Sequence, residues 1–99
     1  MGTVMMLAAT SAFASTNQVD PVARAEQTYL QVRIRYEQDP GDPHHMWQLG
    51  EACFELADVV SSHARRAKLA NEGMNICKTA LERDPKLAAA QYYLALNVG

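Results

Sequence analysis

The sequence predicts an all-α protein made of antiparallel helical hairpins stacked as a short solenoid. Three observations carry that expectation. Apolar residues recur at spacings of three and four along four separate stretches, and each set lines one face of a helix. No pair of stretches carries a β-hairpin signal. The breaks between stretches are short and built on Asp-Pro or Ser-Ser, and short connections make consecutive helices antiparallel.

The chain opens with an apolar stretch, Val4-Met5-Met6-Leu7-Ala8-Ala9, followed by Ser11-Ala12-Phe13-Ala14. Ala12-Phe13-Ala14 before Ser15 has the small-x-small form of a signal-peptidase site. No Lys or Arg precedes the run. Residues 1–14 are read as a signal peptide, 15–19 as a polar linker and 20–99 as the folded domain. Export to the periplasm or the exterior follows if 1–14 is removed as a signal; otherwise the chain is expected in the cytoplasm.

Asp20-Pro21 opens the first helix. Asp accepts from free backbone N–H groups of the first turn, and Pro lacks the N–H that would go unpaired there. Val22, Ala25, Tyr29, Val32 and Tyr36 form its apolar face. Ala23, Leu30 and Ile34 widen that face, so the helix is expected to bury two flanks. Arg24, Glu26, Gln27, Gln31, Arg33 and Arg35 lie mostly off it, and Gln38-Asp39-Pro40-Gly41 ends it. Asp42-Pro43 repeats the opening device. Met46, Leu49, Cys53, Leu56 and Val60 then form the second stripe, flanked by the small residues Gly50 and Ala57, with Gln48, Glu51, Glu55 and Asp58 opposite.

Ser61-Ser62 marks the third helix, with Arg65 and Arg66 in a first turn whose dipole disfavours positive charge. Two adjacent stripes follow, Leu69-Gly73-Ile76-Ala80 and Ala70-Met74-Cys77-Leu81, a face broad enough for two neighbours. A mid-helix Gly costs about 1 kcal/mol against Ala, so Gly73 implies close packing. Asn71, Glu72, Asn75, Lys78, Thr79 and Glu82 form the solvated side. Asp84-Pro85 is read as the start of the fourth helix, with Leu87, Ala90, Leu94 and Val98 on one face and Tyr93 and Ala95 beside them.

Bulk properties narrow the function. Ninety-nine residues make one domain at most. A net charge of −2 gives no electrostatic case for nucleic acid or an anionic membrane. No run of about 18 apolar residues exists, so no integral membrane span is expected. Cys53 and Cys77 fit no metal or redox motif and are read as small core residues. With the turn centred on Ser62, they sit about 9 Å out of register, beyond the roughly 7 Å a disulfide tolerates; only a turn near residue 65 would allow one, and none is expected.

An internal repeat organises the second half. Asp39-Pro40 followed by Trp47-Gln48-Leu49-Gly50 returns as Asp84-Pro85 followed by Tyr92-Tyr93-Leu94-Ala95, each element displaced by 45 residues. Here the sequence resembles the tetratricopeptide repeat family. Ala80-Leu81-Glu82-Arg83-Asp84-Pro85 is similar to the end of that family's second helix, and Leu94-Ala95 and Leu49-Gly50 to the large-small pair of its first. Trp47 departs from the pattern, since it precedes Leu49 by two residues rather than three. The period of 45 against about 34 adds about eleven residues near Ala57 to Ala67. The arrangement from Trp47-Gln48-Leu49 through Gly73 to Asp84-Pro85 is similar to that of long-hairpin bacterial relatives and of the regulator-of-microtubule-dynamics group.

The resemblance implies a protein-interaction module that binds a protein or peptide partner on the concave surface lined by first helices. It places His44, Trp47, Gln48, Glu51 and Tyr92 at that groove. Trp47 and Tyr92 as plain packing residues is the competing reading. Fewer than three repeats are present, so the chain is expected to be part of a longer array or to self-associate through its last helix, as a homo-oligomer. The alternative from another class is a small exported assembly domain that has no groove and self-associates.

Nothing points to catalysis. His44 and His45 are neighbours that do not share a helix face, and His63 lies far away, so no third metal ligand is evident and no metal or cofactor is expected. Glu51, Glu55 and Asp58 read as solvated charge, and Ser61 and Ser62 as caps without a nucleophile context.

Overall fold

A computed structural model describes residues 20–99. The proposed signal peptide and linker lie outside the described residues. Among the described residues four helices occur in order: α1 (Pro21–Gln38), α2 (Pro43–Val59), α3 (His63–Arg83) and α4 (Ala88–Val98). Among the described residues there is no strand, and the protein is all-α.

The caps explain three of the four starts. The Asp20 carboxylate accepts from the Val22 N–H at 3.2 Å, Asp42 from the His44 N–H at 2.9 Å, and the Ser62 hydroxyl from the Arg65 N–H at 3.2 Å. Each satisfies a donor that the helix start leaves free. The fourth start is a correction. Asp84-Pro85 does not open α4; it ends α3 and forms a turn. Asp84 accepts from the Lys86 N–H through its side chain at 3.3 Å and from the Leu87 N–H through its carbonyl at 3.1 Å. Helix α4 begins three residues after the proline, capped by Leu87 without a side-chain bond. The repeat accounts for this. Helix α1 ends at Gln38 and α3 at Arg83, while α2 starts at Pro43 and α4 at Ala88, and both separations are 45. Asp84-Pro85 therefore matches Asp39-Pro40, the stop, and Leu87 stands where Asp42, the cap, stood.

Helix α2 is the centre of the packing. It lies against all three other helices, and α3 packs against both α2 and α4. Met46, Leu49, Cys53 and Leu56 are almost wholly buried along its inner face. Val32, Leu49, Ala52 and Cys53 join α1 to α2, with Tyr29, Tyr36 and Ile76 packed against them. Leu56, Ala57, Val60 and Leu69 close the far end of the α2–α3 hairpin, and Met46, Ala80 and Ala90 seat α4.

The hairpin is tight where its glycines fall. A Cβ on Gly50 would collide with Cys77 Sγ, and one on Gly73 would lie 2.5 to 2.7 Å from the side-chain amide of Asn97. Asn97 fills that notch from α4. Its Nδ2 donates to the Gly50 carbonyl at 3.1 Å and to the Tyr93 carbonyl at 2.8 Å. Three helices thus meet at two glycines and one amide.

Three other expectations change. Leu30 and Ile34 stay about half exposed, at 54% and 53%, so α1 does not bury a second apolar flank. Polar groups of α1, those of Tyr29 and Arg33, reach α3. Glu72, expected on the solvated side of α3, meets them instead: it accepts from the Tyr29 hydroxyl at 2.7 Å and pairs with Arg33. Farther along, Arg65 grips both oxygens of Glu26 at 2.5 and 2.6 Å. On α4, Val98 is 64% exposed and Asn97 takes the buried place, which turns the inner face toward Ala90, Tyr93 and Asn97.

Candidate interaction surface

The residues expected at the groove come from α2, except Tyr92 from α4. Their side chains lie on the part of α2 left uncovered by α1 and α3. On that helix His44, Trp47, Gln48, Glu51, Glu55 and Asp58 recur at three and four, so they form one outward stripe. His44 is exposed, and Trp47, Gln48 and Glu51 are half-buried.

Tyr93, which sequence reasoning set beside the helix face without a role, holds this surface together. The Trp47 and Tyr93 rings stack at 5.9 Å between centroids and 2° between planes. The Tyr93 hydroxyl donates to Glu51 Oε2 at 2.8 Å. Tyr92 meets Tyr93 edge-on at 5.0 Å and 84°, an arrangement suited to aromatic quadrupoles. The repeat offset equates Trp47 with Tyr92, but the stacking partner is Tyr93. The available signal was the spacing Ala90–Tyr93–Asn97, which puts Tyr93 on the side that faces α2. Tyr92 remains 59% exposed. Trp47 donates from Nε1 to His44 Nδ1 at a long 3.4 Å. Of the five expected residues, four join one aromatic and carboxylate cluster, and Gln48 makes no side-chain hydrogen bond among the described residues.

Compared with known protein families, residues 9–99 match the regulator of microtubule dynamics protein 1-3 family. The chain belongs to this family. The match covers all four described helices. Comparison with curated proteins and with solved structures gave no match.

Charge on this family member is divided between elements. All nine Lys and Arg residues lie on α1, α3 or the turn before α4; α2 and α4 carry none. Helix α2 carries Glu51, Glu55 and Asp58. Elsewhere Glu26 pairs with Arg65 and Glu37 and Glu72 with Arg33, but among the described residues no cation lies within ion-pair distance of these three. Partial burial, and behind it the neighbouring Glu51 carboxylate, raises the Glu55 pKa. The hydrogen bond to Glu51, aided by burial, pushes the Tyr93 hydroxyl up to about 12. In contrast, the hydrogen bond from Arg65 lowers the Glu26 pKa.

Two further groups of reactive side chains lie outside this surface. Cys53 and Cys77 are free and buried, and burial pushes their thiols up to about 12 and about 11. Both are therefore protonated, weakly nucleophilic thiols at neutral pH. The turn between α1 and α2 gathers Asp39, Asp42 and His45, whose ligand atoms all lie within 4.8 Å of one another. Sequence spacing did not reveal this grouping, which includes His45 but not His44. One Asp42 oxygen is already used in the cap, and the positive end of α2 opposes a cation there.

Proposed function

We propose that this chain is a protein-interaction module without chemistry of its own. The surface of α2 and α4, equivalent to the concave face of a tetratricopeptide-like array, holds a protein or peptide partner. One observation carries the reading. Tyr92 stands 59% exposed against the Trp47–Tyr93 stack, where packing alone would have buried it. Exposed, preorganised aromatics of this kind are the usual anchors of interfaces. His44, Trp47, Gln48 and Glu51 frame it. The test compares Tyr92→Ala with the unaltered chain in affinity capture and in thermal melting. Lost partners with unchanged melting support the reading. Full retention of partners by Tyr92→Ala and by Trp47→Ala overturns it.

A second reading is favoured by α4. Gln91, Ala95 and Val98 are exposed, yet their equivalents one repeat earlier, Met46, Gly50 and Cys53, are buried against α3. Self-association through that uncharged face of α4 would cover it. Sedimentation at micromolar concentration decides: a monomer with cooperative melting rules the second reading out. We also propose that the chain is exported. Recovery of protein whose N-terminus is Ser15 supports this, and recovery from the cytoplasm with residues 1–14 intact refutes it.

A further inference from the structure

We infer that the partner of the α2–α4 surface is a cationic segment, an extended peptide bearing Arg or Lys. The inference rests on the interaction reading above and adds the chemistry of the occupant. Its basis is the partition of charge. The aromatic cluster of Trp47, Tyr92 and Tyr93 continues along α2 into Glu51, Glu55 and Asp58. Three carboxylates in one stripe at three- and four-residue spacing repel one another. A chain with nine cations places none of them on either helix of this surface.

The nearest cations do not answer that charge. Arg24 of α1 lines an open depression of about 540 Å³ with Glu55 and Asp58, but forms no ion pair with either. Arg66 of α3 shares a second depression with Asp58 and Phe54, and donates from Nη2 to the Val60 carbonyl at 2.7 Å. Glu51 is held by the Tyr93 hydroxyl, a neutral donor. Partial burial first, and then the neighbouring Glu51 carboxylate, raises the Glu55 pKa, with no paired cation among the described residues to offset them.

The surface offers two complementary contacts for guanidinium or ammonium groups. Aromatic faces attract a cation through the ring quadrupole, and Arg also pairs with carboxylates through its planar fork. From Trp47 to Asp58 the stripe rises about 16 Å along α2, the span of about five extended residues. An anionic segment laid along α2 would meet the like charge of Glu51, Glu55 and Asp58.

Trp47 is the chain's single tryptophan, so its fluorescence reports this surface directly. The experiment titrates the protein with three peptides of roughly seven residues: alternating Gly and Arg, alternating Gly and Gln, and alternating Gly and Glu. The expected result is a saturable Trp47 response to the Arg peptide that weakens with salt. The variant Glu55→Gln with Asp58→Asn, two exposed positions, is expected to weaken it by about fivefold. Circular dichroism shows that the variant is folded. Equal binding of all three peptides overturns the cationic assignment and leaves the interaction surface standing. Arg-peptide binding that leaves Trp47 fluorescence unmoved, or that the variant does not weaken, also overturns it by placing the contact elsewhere. Absence of any binding overturns it too, while the capture comparison with Tyr92→Ala judges the interaction reading separately.

Discussion

Helices α2 and α4 hold equivalent places 45 residues apart, and they show what a neighbour does to a sequence. Leu49 is 1% exposed and its counterpart Leu94 is half-buried. Gly50, pressed by Cys77, is answered by the exposed Ala95. Buried Cys53 is answered by Val98 at 64% exposure. In each pair the residue in α2 fits a helix covered by α3, and the residue in α4 fits one covered on a single side. Glycine at position 50 is thus a property of the hairpin rather than of the repeat. Charge follows the same logic in reverse: the two helices share an absence of Lys and Arg, which belongs to the surface they form together.

The largest test of this comparison removes the paired leucines. Leu49→Ala is expected to cost about 3 kcal/mol, in the range for a fully buried leucine, whereas Leu94→Ala is expected to cost about half that. Urea unfolding measures both, and equal losses would break the comparison. The second test concerns the notch between helices. Gly73→Ala forces a Cβ onto the Asn97 amide and is expected to cost about 2 kcal/mol. In an Asn97→Ala background that cost should fall by at least about 0.5 kcal/mol, since residues in contact couple. Strict additivity would show that the Asn97 side chain does not set the limit at Gly73.

The smallest test is alkaline. Tyr93 has its pKa raised from 10.0 to about 12, so its proton is bound more tightly in the folded state. The stability this contributes is complete below pH 10.0 and is lost as pH rises toward about 12. Cys53 and Cys77, also raised, add to the loss in the same direction. Tyr93→Phe should cost about 1 kcal/mol near neutrality and flatten the decline of melting temperature with rising pH. An unchanged alkaline slope would mean that the bond to Glu51 does not survive in solution.

The helices were legible because their signals are local. Asp20-Pro21, Asp42-Pro43 and Ser61-Ser62 each place a side-chain acceptor beside free N–H groups, and apolar spacing marks the faces. The start of α4 was not, because Asp84-Pro85 looks the same whether it stops one helix or starts the next; only its equivalence to Asp39-Pro40 tells. The side of a helix that stays open was also hidden. Leu30 and Ile34 look like core in one dimension, and nothing nearby in sequence says that Glu26, Tyr29 and Arg33 will face α3 instead. The candidate site was partly legible: the repeat led to Trp47 and Tyr92, but the ring that stacks on Trp47 is Tyr93, chosen by the crossing of two helices distant in sequence. Asp39, Asp42 and His45 converge through turn geometry, which residue spacing does not encode.

The coincidence of helix boundaries at a 45-residue interval has a constructive consequence. Pro43 to Leu87 contains one first helix, one second helix and the turn that returns the chain to its starting phase. Such a segment is a tile. Copies joined end to end would place each Pro43 where Ala88 now stands, supply an Asp42-like cap if Leu87 is replaced by Asp, and present Met46, Gly50 and Cys53 to the following α3. The tile would extend into an array whose two faces carry opposite charge, acidic along the first helices and basic along the second.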